Sequence, residues 1–537
     1  MRWVLPRHPI AVLHPSTRLM SNSPSHGRCQ SQDRPLLRRQ PKTPNFNAFP
    51  VRKIALKFCY SGSEYSGLAY QEGPTPLPTV EGVLFNAMAQ TFLVDRDGGL
   101  EGCGWERCGR TDRGVSAAGQ VVSVWVRTAL KTMGNVASST SCETQETGMQ
   151  KEDDGQVEQD PSPADSIASG ILGEFAFAED PLDDDGDRLF SSTAPSASPT
   201  SELRYVTMIN RVLPPTIRVL AWSPVAPDFS ARFACKYRHY KYFFSSHDLD
   251  IPRMRDAASR LVGEHDFRNL CKLDVAKQIT RFRRRILRAE IGPVNPDNLP
   301  TVNECIHVLD LIGTAFLYHQ VRHIMAVLFL VGAGLEHPSV ISSLLNVTAD
   351  HQESHRSGDP PLQIVDRKPE YQMADGLPLV LWECGYDESD VHWRTEIDDS
   401  VAGEQYGPSS SGIEIYRQLH STYTRSLIRS TLDAHFLAAA AQYHSPPPLL
   451  SLQRHSSLLN GASVPSTTST SEVVYIPLGG GTSRRAPNYV PLLSRNRLDS
   501  VEVANERWRL GKGLRKLERQ RADRPFTSNV EHDDNDE

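Results

Sequence analysis

Apolar and polar positions first fall into a regular pattern just after Lys53. Ile54, Leu56 and Phe58 share one side of an extended chain, with Ala55, Lys57 and Cys59 on the other, which is the period of a β-strand. The turn residues Ser61, Gly62 and Ser63 close it. From Thr79 the period changes: Val80, Val83, Leu84, Ala87, Met88 and Thr91 recur at helical spacing, and the Thr79 hydroxyl suits the capping position. A loop rich in Gly, Cys and Arg (98–114) leads to Val122, Val124 and Val126, again at period two. Leu203, Val206, Ile209 and Val212 return to helical spacing, which Pro214 and Pro215 end. Strands follow over 216–222 and 237–244.

A second block occupies 251–387. Met254, Ala257, Ala258 and Leu261 predict a helix with Gly263 as its terminator. An arginine-rich strand is expected over 281–291 and another near 306–312. Leu317, Val321, Ile324, Leu328, Val331 and Leu335 then form one apolar stripe of a long helix, and a last strand covers 379–386. Two successive strand–helix–strand blocks predict an α+β fold, with two α/β subdomains around a central antiparallel or mixed sheet flanked by helices. The N-terminal subdomain spans 51–250 and the C-terminal one 251–390. Residues 391–537 are Ser- and Pro-rich and read as a largely disordered tail with short helices, one over 415–440 and a basic amphipathic stretch over 506–524.

Composition narrows the class. No apolar run approaches the ~20 residues that span a bilayer, so a membrane-spanning protein is excluded. Nine cysteines, an odd number scattered along the chain, argue against a secreted disulfide scaffold and for a reducing compartment. The formal net charge of −6 conceals an uneven distribution. Residues 135–200 hold 15 acidic residues against two basic ones, Lys151 and Arg188, and the last eight residues hold five more acids. Outside those stretches the chain is basic, as a phosphate-binding surface would be. The acidic segment, 131–201, lacks the apolar residues to order itself and reads as a disordered insertion. Residues 1–50 carry eight Lys or Arg and one acid, Asp33. They read as a mitochondrial targeting segment or as a disordered basic arm.

The sharpest local feature is Gly109-Arg110-Thr111-Asp112-Arg113-Gly114-Val115, a carboxylate between two guanidinium groups directly before a strand. Such a carboxylate can act as nucleophile or base while the arginines hold phosphates. It can equally cap a turn through its own backbone, and spacing alone leaves both readings open. Arg281, Arg283, Arg284, Arg285 and Arg288 form a dense basic strand; alternation sends some to each face, and phosphate contact is expected for at least two. His319 and His323 are four apart but lack the intervening Glu of a zinc-protease helix, and Cys103 and Cys108 have no second pair, so no metal is expected.

The stretch 109–122, GRTDRGVSAAGQVV, resembles the signature of the TruA-type tRNA pseudouridine synthases, and five further segments resemble that family in the same order. These are Tyr60-Ser61-Gly62 continuing to Tyr65, Gly67 and Gln71; Ala231-Arg232-Phe233 with Tyr240-Lys241-Tyr242; 263–267 (GEHDF); Phe316 with His319-Gln320-Val321-Arg322; and the strand 379–386. Segments 265–276, 371–386 and 489–500 resemble the eukaryotic branch that modifies uridines 38 and 39 of the anticodon arm. Leu68-Ala69 and Ser116 depart from the bacterial pattern but also occur in that branch. The resemblance implies the pseudouridine synthase fold with a basic RNA-binding cleft, and an isomerase that needs neither cofactor nor metal.

By the same resemblance Asp112 is the catalytic residue. Tyr240 is expected to lay its ring on the uracil, with its hydroxyl assisting proton removal from carbon 5. Arg322, set beside an apolar stripe, needs a partner, and Asp112 would supply it. Arg110, Arg113, Arg238, Arg283 and Arg285 are the expected substrate-binding residues. The implied partner is tRNA through its anticodon arm, with a homodimer as in bacterial members. The implied location is nucleus and cytoplasm, with mitochondria as the alternative if residues 1–50 target. Two rivals remain: the same chemistry at other tRNA positions, and a non-catalytic tRNA-binding protein.

Overall fold

The computed structural model describes residues 46–130, 202–294, 306–348, 356–395, 410–444 and 474–515. The acidic segment 131–201, residues 1–45 and the end of the basic stretch beyond 515 lie outside the described residues. In chain order the elements begin with β1 (Val51–Tyr60), α1 (Val80–Gln90), α2 (Gly99–Gly102), β2 (Glu106–Arg107), β3 (Ser116–Arg127), α3 (Tyr205–Asn210), β4 (Ile217–Pro224) and β5 (Tyr237–Ser245). They continue with α4 (Ile251–Ser259), β6 (Gly263–Asp266), β7 (Arg283–Pro293), β8 (Ile306–Gly313), α5 (Gln320–Gly332), α6 (Val340–Leu345) and β9 (Leu379–Gly385). After these come α7 (Ser410–Ala441), β10 (Val474–Gly479), β11 (Thr482–Ala486) and α8 (Val501–Trp508).

Strands β1 to β9 make one mixed sheet in the order β4-β1-β3-β9-β5-β8-β7-β6, with β2 paired to β3. Every neighbouring pair is antiparallel except β3 and β9, which meet in parallel through two residue pairs, Ser116 with Val380 and Ala117 with Leu381. That short seam joins the two halves of the sheet. The expected boundary at residue 250 divides the chain differently from the sheet. β5 belongs by sequence to the first block but pairs with β8 and β9 on the far side of the seam. A continuous strand with hydrogen-bonding partners on both edges leaves neither of its edges unpaired.

Alternation along β5 buries Tyr240, Tyr242 and Phe244 on one face. Phe329 of α5 packs edge-on against Tyr242 and Phe244, with ring centroids 6.1 and 5.8 Å away. Of the 13 residues of α5 only Arg322 is not buried, as expected for a helix enclosed on all sides. Each large side chain so enclosed contributes about 1.5–3 kcal/mol. The expected Thr79 cap forms, its hydroxyl accepting from the Gly82 amide at 3.3 Å. No described helix is long and apolar enough to cross a membrane.

The C-terminal region differs from the expected tail. The β10–β11 hairpin lies against α5, and its Leu478 carbonyl accepts from the Asp375 amide at 2.7 Å. α7 is a 32-residue helix tied to the body by Arg218 Nε donating to Gln418 Oε1 at 2.7 Å. Leu492 is fully buried, and the Asn505 carbonyl of α8 accepts from Gln278 Nε2 at 3.4 Å. Ile415, Val474, Ile476, Tyr489, Leu493 and Val501 pack against the apolar core of the sheet body, whereas most of α7 beyond Ile415 is exposed.

Candidate active site

Three chain segments meet at the seam. The 109–115 loop enters β3, the loop at 374–376 enters β9, and α5 begins beside both. Because β3 and β9 run parallel, their first residues lie at the same end of the sheet. The 109–115 loop is held from below: the buried Thr111 hydroxyl shares a 2.6 Å hydrogen bond with Tyr60, and the Val115 amide donates to the Asp112 carbonyl at 3.1 Å. Gly114 turns the chain at φ +83°, a conformation side chains with a Cβ rarely adopt. Gly376 permits the close approach of the β9 loop. A Cβ there would sit 3.3 Å from the Arg113 carbonyl oxygen and 3.5 Å from the Arg322 guanidinium carbon.

Asp112 is partly exposed and receives two groups from the start of α5. His319 Nε2 lies 3.2 Å from Asp112 Oδ2, and Arg322 Nη1 lies 3.7 Å from the same oxygen. Oδ1 has no polar partner among the described residues. Both closest approaches are therefore to one carboxylate oxygen, and the side chain keeps 24% of its surface exposed. Arg322 is itself braced, since its Nε donates to the Ala374 carbonyl at 2.8 Å. The hairpin takes part in that brace by holding the neighbouring Asp375 amide. The expected pairing of Arg322 with Asp112 is present, as an ion pair rather than a tight hydrogen bond.

His319 is the residue that sequence reasoning missed. Reading it as part of a helix with His323 aims both rings in one direction. His319 instead caps α5 with left-handed φ and ψ (59° and 13°), and this turns its ring toward Asp112. Tyr318 packs on it with ring centroids 3.7 Å apart. Its place in the Phe316–Arg322 segment, three residues before Arg322, was the available signal. His323 points elsewhere: Lys368 Nζ lies 3.1 Å from its Nε2 and donates to the Cys271 carbonyl at 2.7 Å. No group of three His, Cys, Asp or Glu side chains among the described residues is placed to hold a metal.

Tyr240 lies one strand beyond the seam, opposite Leu381, which is itself opposite Ala117. Phe316 meets its ring edge-on at 4.9 Å. Burial pushes the Tyr240 phenol well above its ordinary pKa, with Asp112 among the charges that push the same way. The hydroxyl thus keeps its proton at neutral pH.

The expected substrate arginines divide into two kinds. Arg110 and Arg113 are exposed beside Asp112, and their guanidinium groups have no acidic partner among the described residues. Arg285 is likewise exposed and unpaired, and its carbonyl accepts from the Thr314 amide at 3.1 Å. Arg238 is engaged with the protein itself: it donates to the carbonyls of Thr314 (2.9 Å), Cys108 (3.0 Å) and Arg232 (3.0 Å). Its position clamps three loops around the opening. Arg283 lies 3.4 Å from Glu264, a pair open enough to solvent to contribute little.

Known proteins resemble the chain at the level of sequence. The family described as tRNA pseudouridine synthase matches over residues 257–387. A Saccharomyces cerevisiae protein named tRNA pseudouridine(38/39) synthase is 31% identical over 472 residues, covering 88% of this chain and 80% of the yeast one. Proteins of the same name from Mus musculus and Homo sapiens are 37% and 38% identical over 360 and 352 residues. Those alignments take in 66% and 65% of this chain, and 60% and 58% of the mouse and human proteins. The chain thus spans about three fifths of those two relatives.

Proposed function

Because the chain belongs to the tRNA pseudouridine synthase family, we propose that it isomerises uridine to pseudouridine in tRNA, at positions 38 and 39 of the anticodon arm, with Asp112 as the nucleophile. The observation that carries this reading is the partly exposed Asp112 carboxylate, approached through one oxygen by His319 and Arg322. The reaction breaks the bond between N1 of uracil and C1′ of ribose, turns the base, joins C5 to C1′, and exchanges the C5 proton for one taken up on N1, which restores the ring and leaves an isomer. Atoms and electrons balance without a cofactor.

The target must leave its stack, which requires a few kcal/mol and less at a loop or stem end. Arg110 and Arg113 stand where a displaced phosphate needs a counter-charge, and Arg285 extends that positive edge. The Asp112 carboxylate attacks either C1′, displacing N1 and being displaced in turn by C5, or C6 of the uracil ring, from which it is expelled once C5 has joined C1′. Tyr240 offers its ring as a floor for the detached base, a contact of ~1–3 kcal/mol. With its phenol held protonated, Tyr240 serves C5 deprotonation as a relay rather than as a phenolate base.

The test is pseudouridine mapping on tRNA transcripts incubated with the full chain or with Asp112→Ala. Modification at 38 or 39 by the native protein alone supports the reading. Modification elsewhere keeps the chemistry and discards the positions. Equal RNA binding without modification by either protein supports the non-catalytic rival.

A further inference from the structure

Phe233 is 80% exposed, and among the large hydrophobic side chains described only Tyr443 is more so. Burying a phenylalanine is among the larger hydrophobic gains, so this ring forgoes a stabilisation the fold could have taken. It is not on a loose loop. Ala231 is anchored on both sides, its amide donating to Ser123 Oγ at 3.3 Å and its carbonyl accepting from the Tyr386 hydroxyl at 2.6 Å. The Ala234 amide donates to the Ser230 carbonyl at 3.0 Å. The Arg232 guanidinium lies over the ring, 5.3 Å from its centroid. A fixed aromatic ring beside a free cation on a surface is a platform for a flat partner.

Its place in the fold ties it to the reaction. Arg238 binds the Arg232 carbonyl and the Cys108 carbonyl at once, each at 3.0 Å. Asp112 is four residues beyond Cys108, so at most ~14 Å of chain separates them. Phe233 also forms part of the lining of a cavity of about 480 Å³ with Phe229, Asp228, Asp390 and His392. Two carboxylates there repel a phosphate, yet both accept from the amino or imino edge of a base.

We propose that Phe233, with Arg232 beside it and the adjoining cavity, binds one unstacked nucleobase of the RNA other than the uridine being isomerised. The inference rests on the proposed tRNA substrate and names a second base contact for it. Phe233 is a positioning residue: it touches the RNA away from the reacting atoms and fixes how the target arrives at Asp112.

The experiment measures the dissociation constant and the steady-state constants of the full chain on tRNA transcripts, for native protein, Phe233→Ala, Phe233→Leu and Phe233→Trp. Stacking predicts roughly a tenfold or greater rise in Kd and KM for the Ala and Leu variants, with kcat within about twofold. Phe233→Trp restores native binding, and the salt dependence keeps its slope because stacking carries no charge. Transcripts with one loop base removed at a time complete the test: at one position the Phe233→Ala penalty disappears, since the two losses remove one contact. Native affinity in Phe233→Ala, equal loss in Phe233→Trp, or a penalty that no abasic position removes overturns the proposal. Protein that binds tRNA through Phe233 but leaves uridine unchanged upholds this contact and overturns the catalytic reading. Protein that does not bind tRNA overturns both.

Discussion

The first turn of α5 carries two polar clusters, and they differ in the partners that meet them. In one, His319 and Arg322 approach a partly exposed carboxylate. In the other, His323, Lys368 and Tyr371 are packed together, with the Lys368 ammonium over the Tyr371 ring at 4.8 Å. Burial there, reinforced by Lys368, pushes the His323 pKa down to about 2, so the ring stays neutral. Burial also lowers the Lys368 pKa to about 8. Similar residue types one helical turn apart thus meet different partners, a carboxylate for His319 and an ammonium for His323. The charge each ring faces distinguishes them, and sequence spacing does not.

Substitutions in each cluster sharpen the contrast. After Asp112 itself, the largest effect is expected from Arg322→Gln, which removes the ion pair and the brace to Ala374. Single-turnover pseudouridine formation should fall by about 10²-fold, with tRNA affinity within about threefold of native. His319→Gln should lose about tenfold in the same assay, because Arg322 still holds Oδ2. A loss of tRNA binding instead of rate in either variant would move these residues from chemistry to recognition.

The His323 cluster should report in stability. Unfolded, His323 takes up a proton near pH 6.5, whereas folded it resists until about pH 2. Stability therefore falls as pH drops below about 6.5, by up to ~1.4 kcal/mol per pH unit from this group. His323→Gln should flatten the denaturant-measured slope between pH 6.5 and 5 while leaving turnover at pH 7 near native. Lys368 works in the alkaline range: the unfolded chain keeps its proton to about pH 10.5 and the folded one only to about 8, so stability rises across that window. Lys368→Met should remove that rise. The smallest effect is expected at Arg285→Ala, which should reduce the salt dependence of tRNA binding by about one ion and weaken binding on all sequences alike.

Much of this was legible in the sequence, and the failures share a cause. Period two marked β3 and β5, helical spacing marked α1 and α5, and the 109–115 segment marked Asp112. The four-residue edge strand β6 is too short for a period, and Gly263, read as a helix terminator, is its first residue. The β10–β11 hairpin is half-exposed with no clean alternation, so its role in bracing 374–376 appears only once the sheet body is present. Arg238 looked like a phosphate ligand because charge is visible in a sequence. The three carbonyls that occupy it are not. His319 was hidden by a single left-handed residue, which periodicity treats as helix.

The claim at the centre is that the Asp112 carboxylate, approached by His319 and Arg322, supplies the nucleophile. Asp112→Asn keeps the size and shape of the side chain and removes the anion. With the variant in excess over tRNA transcript, single-turnover pseudouridine formation should be undetectable while the dissociation constant for tRNA stays within about threefold of native. Pseudouridine appearing at a rate near that of the native protein would contradict the account and remove Asp112 from the chemistry.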